Sequence, residues 1–238
     1  MKIFNMIKVK LISYTKDPEK TCVSAIRQCY AYVSANKIKQ NITQAMQKRL
    51  IKLVLSSGHT STLEHANFTF AVQGISRTCT HQLVRHRIAS YSQQSQRYVK
   101  MGSNFNYIIP PAIGNNKKFL KIFKNQILQA KKVYDELIKA GFKKEDARFL
   151  LPNTSETKIV ITMNARALLH FFEKRLCIRA QWEIRQMADL MLKQVKKIAP
   201  NIFRYAGPTC KTQKICWEGD MSCGLYKSIK GGELRSRC

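Results

Sequence analysis

Two separated stretches read as strands and then give way, without a break, to helical periodicity. In HANFTFAVQG, residues 65–74, Phe68, Phe70 and Val72 fall on one face, the period of two that a half-buried strand imposes. In TKIVITMN, residues 157–164, β-branched side chains recur, and these suit the pleated surface of a strand. The first stretch runs into SRTCTHQLVRH and the second into ARALLHFFEKRL, both with apolar residues at helical spacing. KVKLISYT, residues 8–15, reads as a further strand, followed by a helix over KDPEKTCVSAIRQCY with Pro18 in its first turn, where a missing N–H costs nothing. ITQAMQKRLIKLVLSSG predicts a helix stopped at Gly58, a residue that takes the left-handed C-cap conformation freely.

After Pro110 and Pro111 the pattern predicts a long helix from about Lys117 to Ala140. Its buried stripe is expected to be Phe119, Ile122, Phe123, Ile127, Ala130, Tyr134 and Leu137. KKEDARFLLP reads as a short helix closed by Pro152, and AQWEIRQMADLMLKQVKKIAP as a last long one ending at Pro200. Strands and helices interleave without a regular βαβ rhythm, and the chain contains no internal repeat. The expectation is one α+β domain, a mixed or antiparallel sheet packed with long helices. It covers residues 1–205 and leaves a cysteine-containing tail at 206–238.

Charge narrows the partners. The sequence carries 42 Lys and Arg against 14 Asp and Glu, a net +28, and such a field concentrates anions. Nine lysines lie between Lys117 and Lys144, opposed only by Asp135 and Glu136, and read equally well as a solvated basic face. An RNA- or DNA-binding protein would use this charge, yet aromatics are only 9% and no RRM, KH or zinc-finger signature is present. MKIFNMIKVKLIS interrupts its apolar residues with Lys2, Lys8 and Lys10, so no secretory core forms. No run approaches the roughly 18–20 apolar residues that span a bilayer. A cytoplasmic protein that needs neither membrane nor nucleic acid is expected, with its eight cysteines reduced. Cys22, Cys29, Cys79 and Cys177 read as buried small hydrophobes. Cys210, Cys216, Cys223 and Cys238 in the tail are thiolates of the kind zinc takes, but without a C-x2-C pair no metal site is assigned.

Three segments concentrate polar side chains on elements that otherwise look buried. GHTSTLEH holds His59, Ser61, Glu64 and His65. The cluster could ligate a metal, but it lacks an H-E-x-x-H pair, and a polar loop satisfying its own turns and caps is the preferred reading. RHRIASYSQQSQRY, residues 85–98, places Arg85, His86, Arg87, Ser90, Ser95 and Arg97 after a helix. Their guanidinium forks suit bidentate phosphate contacts, and Ser and Gln supply neutral donors. The segment is neither a P-loop nor a G-x-G-x-x-G turn. A solvated basic loop is the alternative. MNARALLHFFEKRLCIRAQWEIR puts Asn164 and Arg166 where a strand meets a helix, a place whose free amides favour an anion. His170 follows Arg166 by one turn, and Arg175 and Arg179 stand among apolar neighbours, where a guanidinium needs an anionic partner. Glu173 or Glu183 could serve structurally.

RHRIASYSQQSQRY resembles the R-H-R-x2-S-x-N-x2-S-x-R-Y signature of flavin-dependent thymidylate synthases. GHTSTLEH, DARFLLP, MNARALLHFF and AQWEIR follow that family's pattern in order. Ser92 stands where the signature has Asn, Gln93 where many members carry Glu, and His170 where some carry Asn. The resemblance implies that family's fold and a homotetramer with active sites shared between subunits. It implies that dTMP is made from dUMP, with methylenetetrahydrofolate as one-carbon donor and NADPH reducing a bound FAD. By the same resemblance, Ser61, Arg85, His86, Arg87, Gln93, Asn164, Arg166 and His170 contact the flavin. Gln82, Arg85, Gln93, Gln94, Ser95, Gln96, Arg97, Arg148 and Arg175 hold the nucleotide, with Ser95 and Arg97 reaching it from a neighbouring subunit. Arg175 stabilises negative charge on the uracil ring, and His59 lies near the flavin and the folate. No cysteine lies in a setting that would lower its pKa. A fixed cation is therefore the available means of stabilising enolate-like charge. A flavoprotein without synthase activity is the nearest alternative.

Overall fold

The computed structural model describes residues 6–102 and 105–226. In chain order these form β1 (Lys8–Tyr14), α1 (Pro18–Gln28), α2 (Ala35–Gln40), α3 (Gln44–Ser57), β2 (Asn67–Ser76), α4 (Arg77–Leu83) and β3 (Ser90–Gln93). There follow α5 (Pro111–Gly114), α6 (Lys117–Lys139), α7 (Lys144–Ala147), β4 (Glu156–Asn164), α8 (Ala165–Arg175), α9 (Trp182–Ile198), α10 (Pro200–Phe203) and α11 (Thr209–Thr212). The fold is α+β, with a four-stranded sheet in the order β1-β2-β4-β3. Among the described residues no helix is long and apolar enough to cross a membrane.

The two stretches form β2 and β4, and each ends on the residue that caps the next helix. Ser76 accepts a hydrogen bond from Cys79 N at 3.0 Å, and Asn164 accepts one from Ala167 N at 2.8 Å. Both residues are extended, the conformation of an N-cap. The alternation is fulfilled: Phe68, Phe70, Val72, Ile159, Ile161 and Met163 are buried.

The chain divides into two compact units, with boundaries falling inside each of the four strands. One unit contains the chain to Lys8, Ala71–Arg85 and Tyr91–Val160. Here Arg77 N donates to Ser155 O at 3.1 Å and Gln94 N to Lys158 O at 2.9 Å. Tyr134 is fully buried, and its hydroxyl accepts from Met101 N at 3.3 Å. The other unit contains Val9–Phe70, His86–Ser90 and the chain from Ile161. Thr15 N donates to Asn67 O, and Ala165 N to Ala66 O. Phe203 meets Phe68 edge-on at 5.4 Å and Phe172 at 6.0 Å. Full burial of each such ring contributes about 1.5–3 kcal/mol. Buried Glu19 accepts from Asn201 N and Asn201 Nδ2, both at 2.6 Å, so it anchors the start of α10.

Several expectations are corrected. Of the α6 stripe only Ile127 and Tyr134 are buried, while Phe119 and Ile122 are more than half exposed. The spacing was right, but the unit supplies too little surface to cover a helix of 23 residues. Cys22 and Cys79 are buried, whereas Cys29 is exposed and Cys177 intermediate, because both lie just past a helix end. The helix over SRTCTHQLVRH stops at Leu83, and β3 forms inside the segment expected to be a loop. Cys210, Cys216 and Cys223 are free thiols, with no metal-holding group among the described residues. Cys238 lies outside them.

Gly74 has φ +78°, and a Cβ there would meet Met6 O at 2.7 Å. Gly74→Ala is therefore expected to destabilise the protein by roughly 1–3 kcal/mol. Urea unfolding would read this, and an unchanged midpoint would remove the constraint assigned to the strand.

Candidate active site

The segment after α4 turns back so that His86 lies against α8. Arg175 Nε donates to His86 Nε2 at 2.9 Å. The imidazole is packed edge-on against Phe171 at 5.0 Å and His170 at 5.9 Å. Burial first, then the positive charge of Arg175 and the neighbouring His170, pull the His86 pKa down to about 4. The ring is therefore neutral at pH 7, with its proton on Nδ1 because Nε2 is the acceptor. Arg175 is thus oriented by a group that does not cancel its charge.

The same unit forms a cleft of about 730 Å³, reached from this pair through His170, which lies against His86. Arg166 and His170 line it from α8, Lys48 and Lys52 from α3, and Arg204 from the segment after α10. Apolar Leu55, Leu169 and Ile202 complete its walls. Its one acid, Glu173, pairs with Lys174 at 2.8 Å. Arg166 Nη1 donates to Glu64 Oε1 at 2.6 Å, tying α8 to the turn at Thr60–His65. Thr60 lines the cleft. Exposed His59 and Ser61 flank Thr60 in sequence but are not among the lining residues. Asn164 spends its side chain on the α8 cap. Of the proposed arginine partners, Glu173 is committed to Lys174, and Arg179 Nε lies 3.8 Å from Glu218.

Of the residues expected to hold the nucleotide, all but Arg175 lie in the other unit. Gln93 Nε2 lies 3.1 Å from both Thr80 Oγ1 and Thr157 Oγ1, and Tyr91 donates its hydroxyl to Leu83 O at 2.9 Å. Arg97 Nη2 meets Glu145 Oε2 at 2.8 Å, while Arg97 N donates to Ser95 Oγ at 3.1 Å. Arg148 donates to Glu145 O at 3.1 Å. Gln82, Gln94, Ser95 and Gln96 are half-buried, and Arg85 and Arg87 are exposed.

Three features went unread in the sequence. Burial and nearby Arg148 lower the pKa of Arg77, so two guanidiniums lie close enough to repel. The signal available was an arginine opening an apolar helix, a position with too many structural readings to single out. Lys48 and Lys52 were legible as an i, i+4 cation pair on one helix face. Residues 204–207, Thr212 and Gln213 line the cleft, in a stretch that carries no periodicity pointing there.

The α+β fold thus sets a cation-lined cleft in one unit and a group of arginines and glutamines in the other. Residues 10–201 match the family model described as Thymidylate synthase complementing protein. A flavin-dependent thymidylate synthase of Clostridium tetani is 47% identical over 240 residues, covering 94% of this chain and 96% of that protein. The Geobacter sulfurreducens enzyme of the same name is 47% identical over 225 residues, covering 94% and 97%. The Pyrococcus abyssi one is 42% identical over 234 residues, covering 94% and 96%. The solved structure of the UMP/dUMP methylase PolB from Streptomyces cacaoi, bound with 5-Br dUMP, shares the fold at TM-score 0.75 and 24% identity, covering 86% of this chain and 96% of that one. This chain belongs to the thymidylate synthase complementing protein family.

The depressed His86 pKa makes a pH dependence. The unfolded imidazole takes up a proton near pH 6.5, whereas the folded one resists until about 4. Stability from this group is whole above pH 6.5 and is lost as pH falls through that window. His86→Gln, which keeps an acceptor but cannot titrate, should flatten that part of the profile in urea unfolding between pH 7 and 4. An equally steep profile in the variant would rule out His86 as its source.

Proposed function

We propose that this protein is a flavin-dependent thymidylate synthase. It converts dUMP to dTMP, taking a methylene group from methylenetetrahydrofolate and reducing equivalents from NADPH, with release of the uracil C5 proton. Support comes from the family membership and the relatives' shared name, and one structural observation carries the chemistry. Arg175 is held in a fixed orientation by neutral His86 at 2.9 Å.

The residues fit a flavin dinucleotide. The cleft sets Lys48, Lys52, Arg166 and Arg204 beside apolar Leu55, Leu169 and Ile202, cations suited to a diphosphate and walls suited to a ring. Ser61, Arg85, His86, Arg87, Gln93, Asn164, Arg166 and His170 are the contacts this reading assigns. Bound there, FAD supplies the redox relay between NADPH and the transferred carbon. Gln82, Arg85, Gln93, Gln94, Ser95, Gln96, Arg97 and Arg148 are assigned to dUMP, and Arg77 joins them. The Arg97–Glu145 pair is exposed and worth about 0–1 kcal/mol, so a phosphate could take over Arg97 at little cost. Arg175 faces the charge that develops on the uracil ring, and His59 borders the folate.

The reading includes a cytoplasmic homotetramer sharing its active sites, with residues 1–205 as the catalytic domain and 206–238 as a tail. The exposed Phe119, Ile122 and Leu128 of α6 support the assembly, since apolar surface of this kind marks interfaces.

The deciding assay is tritium release from C5 of labelled dUMP. Release that requires FAD, NADPH and methylenetetrahydrofolate together is expected. No release from folded, flavin-loaded protein would leave a flavoprotein without synthase activity. Arg175→Ala should keep its flavin absorbance while turnover falls about a hundredfold or more, the usual cost of removing one such donor. Turnover near wild type would remove Arg175 from the chemistry.

A further inference from the structure

The GHTSTLEH turn holds one acid, Glu64, to which none of the flavin or nucleotide contacts above gives a part. Acids are scarce in this chain, 14 against 42 cations, and this one meets a cation of the cleft. The turn that carries it is firmly seated. Leu63 is fully buried, and Ala66 N closes the turn on Leu63 O at 3.3 Å. Ala165 N then donates to Ala66 O at 2.8 Å, so the backbone leaving the turn is bonded to the first residue of α8. One residue further along α8, Arg166 Nη1 donates to Glu64 Oε1 at 2.6 Å.

A guanidinium carries five N–H donors in a planar fork, and Glu64 engages it through Nη1. Arg166 lines the cleft, whereas Glu64 does not. The carboxylate therefore holds Arg166 from outside the cleft and leaves its remaining N–H groups for a ligand. Lys48, Lys52 and Arg204 line the same cleft, and its one acid, Glu173, pairs with Lys174. An unrestrained Arg166 in that field would be driven toward water, and a ligand would have to order it on arrival. Ordering one such side chain lowers affinity by about two- to tenfold. We infer that Glu64 is a positioning residue for flavin binding, holding Arg166 in the orientation that meets the diphosphate of FAD. The inference rests on the synthase reading above and adds to its flavin site a residue that touches no ligand. An exposed ion pair of this kind contributes little to stability, so its removal should spare the fold and change binding. Glu64 also brings negative charge toward an anion site, an effect of opposite sign that the experiment separates.

The test titrates flavin-free, full-length protein with FAD and with riboflavin, which lacks the diphosphate, and reads the quenching of flavin fluorescence. Glu64→Ala is expected to bind FAD about two- to tenfold more weakly, with riboflavin affinity and the urea midpoint unchanged. A turn merely held together by Glu64 would weaken both flavins alike, and a Glu64→Ala protein that failed to fold would also mark a structural role. Either result would overturn the inference. Glu64→Gln keeps an acceptor for Arg166 without the charge and should stay within about twofold of wild type. In an Arg166→Ala background, Glu64→Ala should have no further effect on FAD, because the two residues act as one unit. FAD affinity in Glu64→Ala equal to or tighter than wild type, or a loss that persists without Arg166, would remove the positioning role. Wild-type protein that binds no FAD would defeat the synthase reading and this inference with it. FAD binding that ignores Glu64 defeats the inference alone.

Discussion

A hydrogen bond between a cation and a neutral ring organises this protein's candidate chemistry. An arginine among apolar neighbours is usually fixed by a carboxylate, which holds its geometry but cancels its field. His86 fixes Arg175 Nε at 2.9 Å without itself bringing a negative charge. The arrangement is self-consistent. The imidazole accepts only while neutral, and it stays neutral because it is buried on Phe171 and faces a cation. Each partner therefore enforces the state the other needs, and both depend on how firmly α8 is seated.

That seating begins in the sheet. Met163 and Ile161 bury their side chains in β4, the strand ends at Asn164, and the same residue caps α8 through Ala167 N. No loop intervenes to blur the transfer of position from strand to helix. One turn later Arg166 is pinned to Glu64, and Phe171 and Phe172 are fully buried. A side chain at the far end of an 11-residue helix is thus referenced to the sheet through a cap, an ion pair and two aromatic rings. The Ser76 cap of α4 repeats the device, so both segments that carry arginine motifs leave the sheet in defined directions.

This economy explains what could be read in advance. Strand alternation and helix periodicity are local, and β1, β2, β4, α3, α6, α8 and α9 were legible from spacing, as was the Gly58 cap with its φ of +77°. The motif residues were legible as unusual polar density on apolar elements. Legibility ended where tertiary packing decides. The α6 stripe has helical spacing, but how much of it is covered depends on what surrounds it. Ser90–Gln93 carries no apolar alternation and pairs as a strand because β4 offers an edge. Arg77 and Arg148 are far apart in sequence, and only the fold makes them neighbours. Residues 204–207, Thr212 and Gln213 line the cleft, although their stretch of sequence looks like the start of a tail.

The charge excess acquires meaning from this distribution. With 42 basic and 14 acidic side chains, most cations cannot find a carboxylate and must keep their water. On a convex surface this costs little, because screening over about 10 Å separates neighbours. Where the fold brings cations together they lose solvent and repel, as Arg77 does beside Arg148. Those sites hold repulsion in the free protein, which an anionic ligand relieves on binding. A ligand that binds only the folded chain stabilises it in proportion to the logarithm of its concentration over its dissociation constant. The relief of repulsion enters that constant directly.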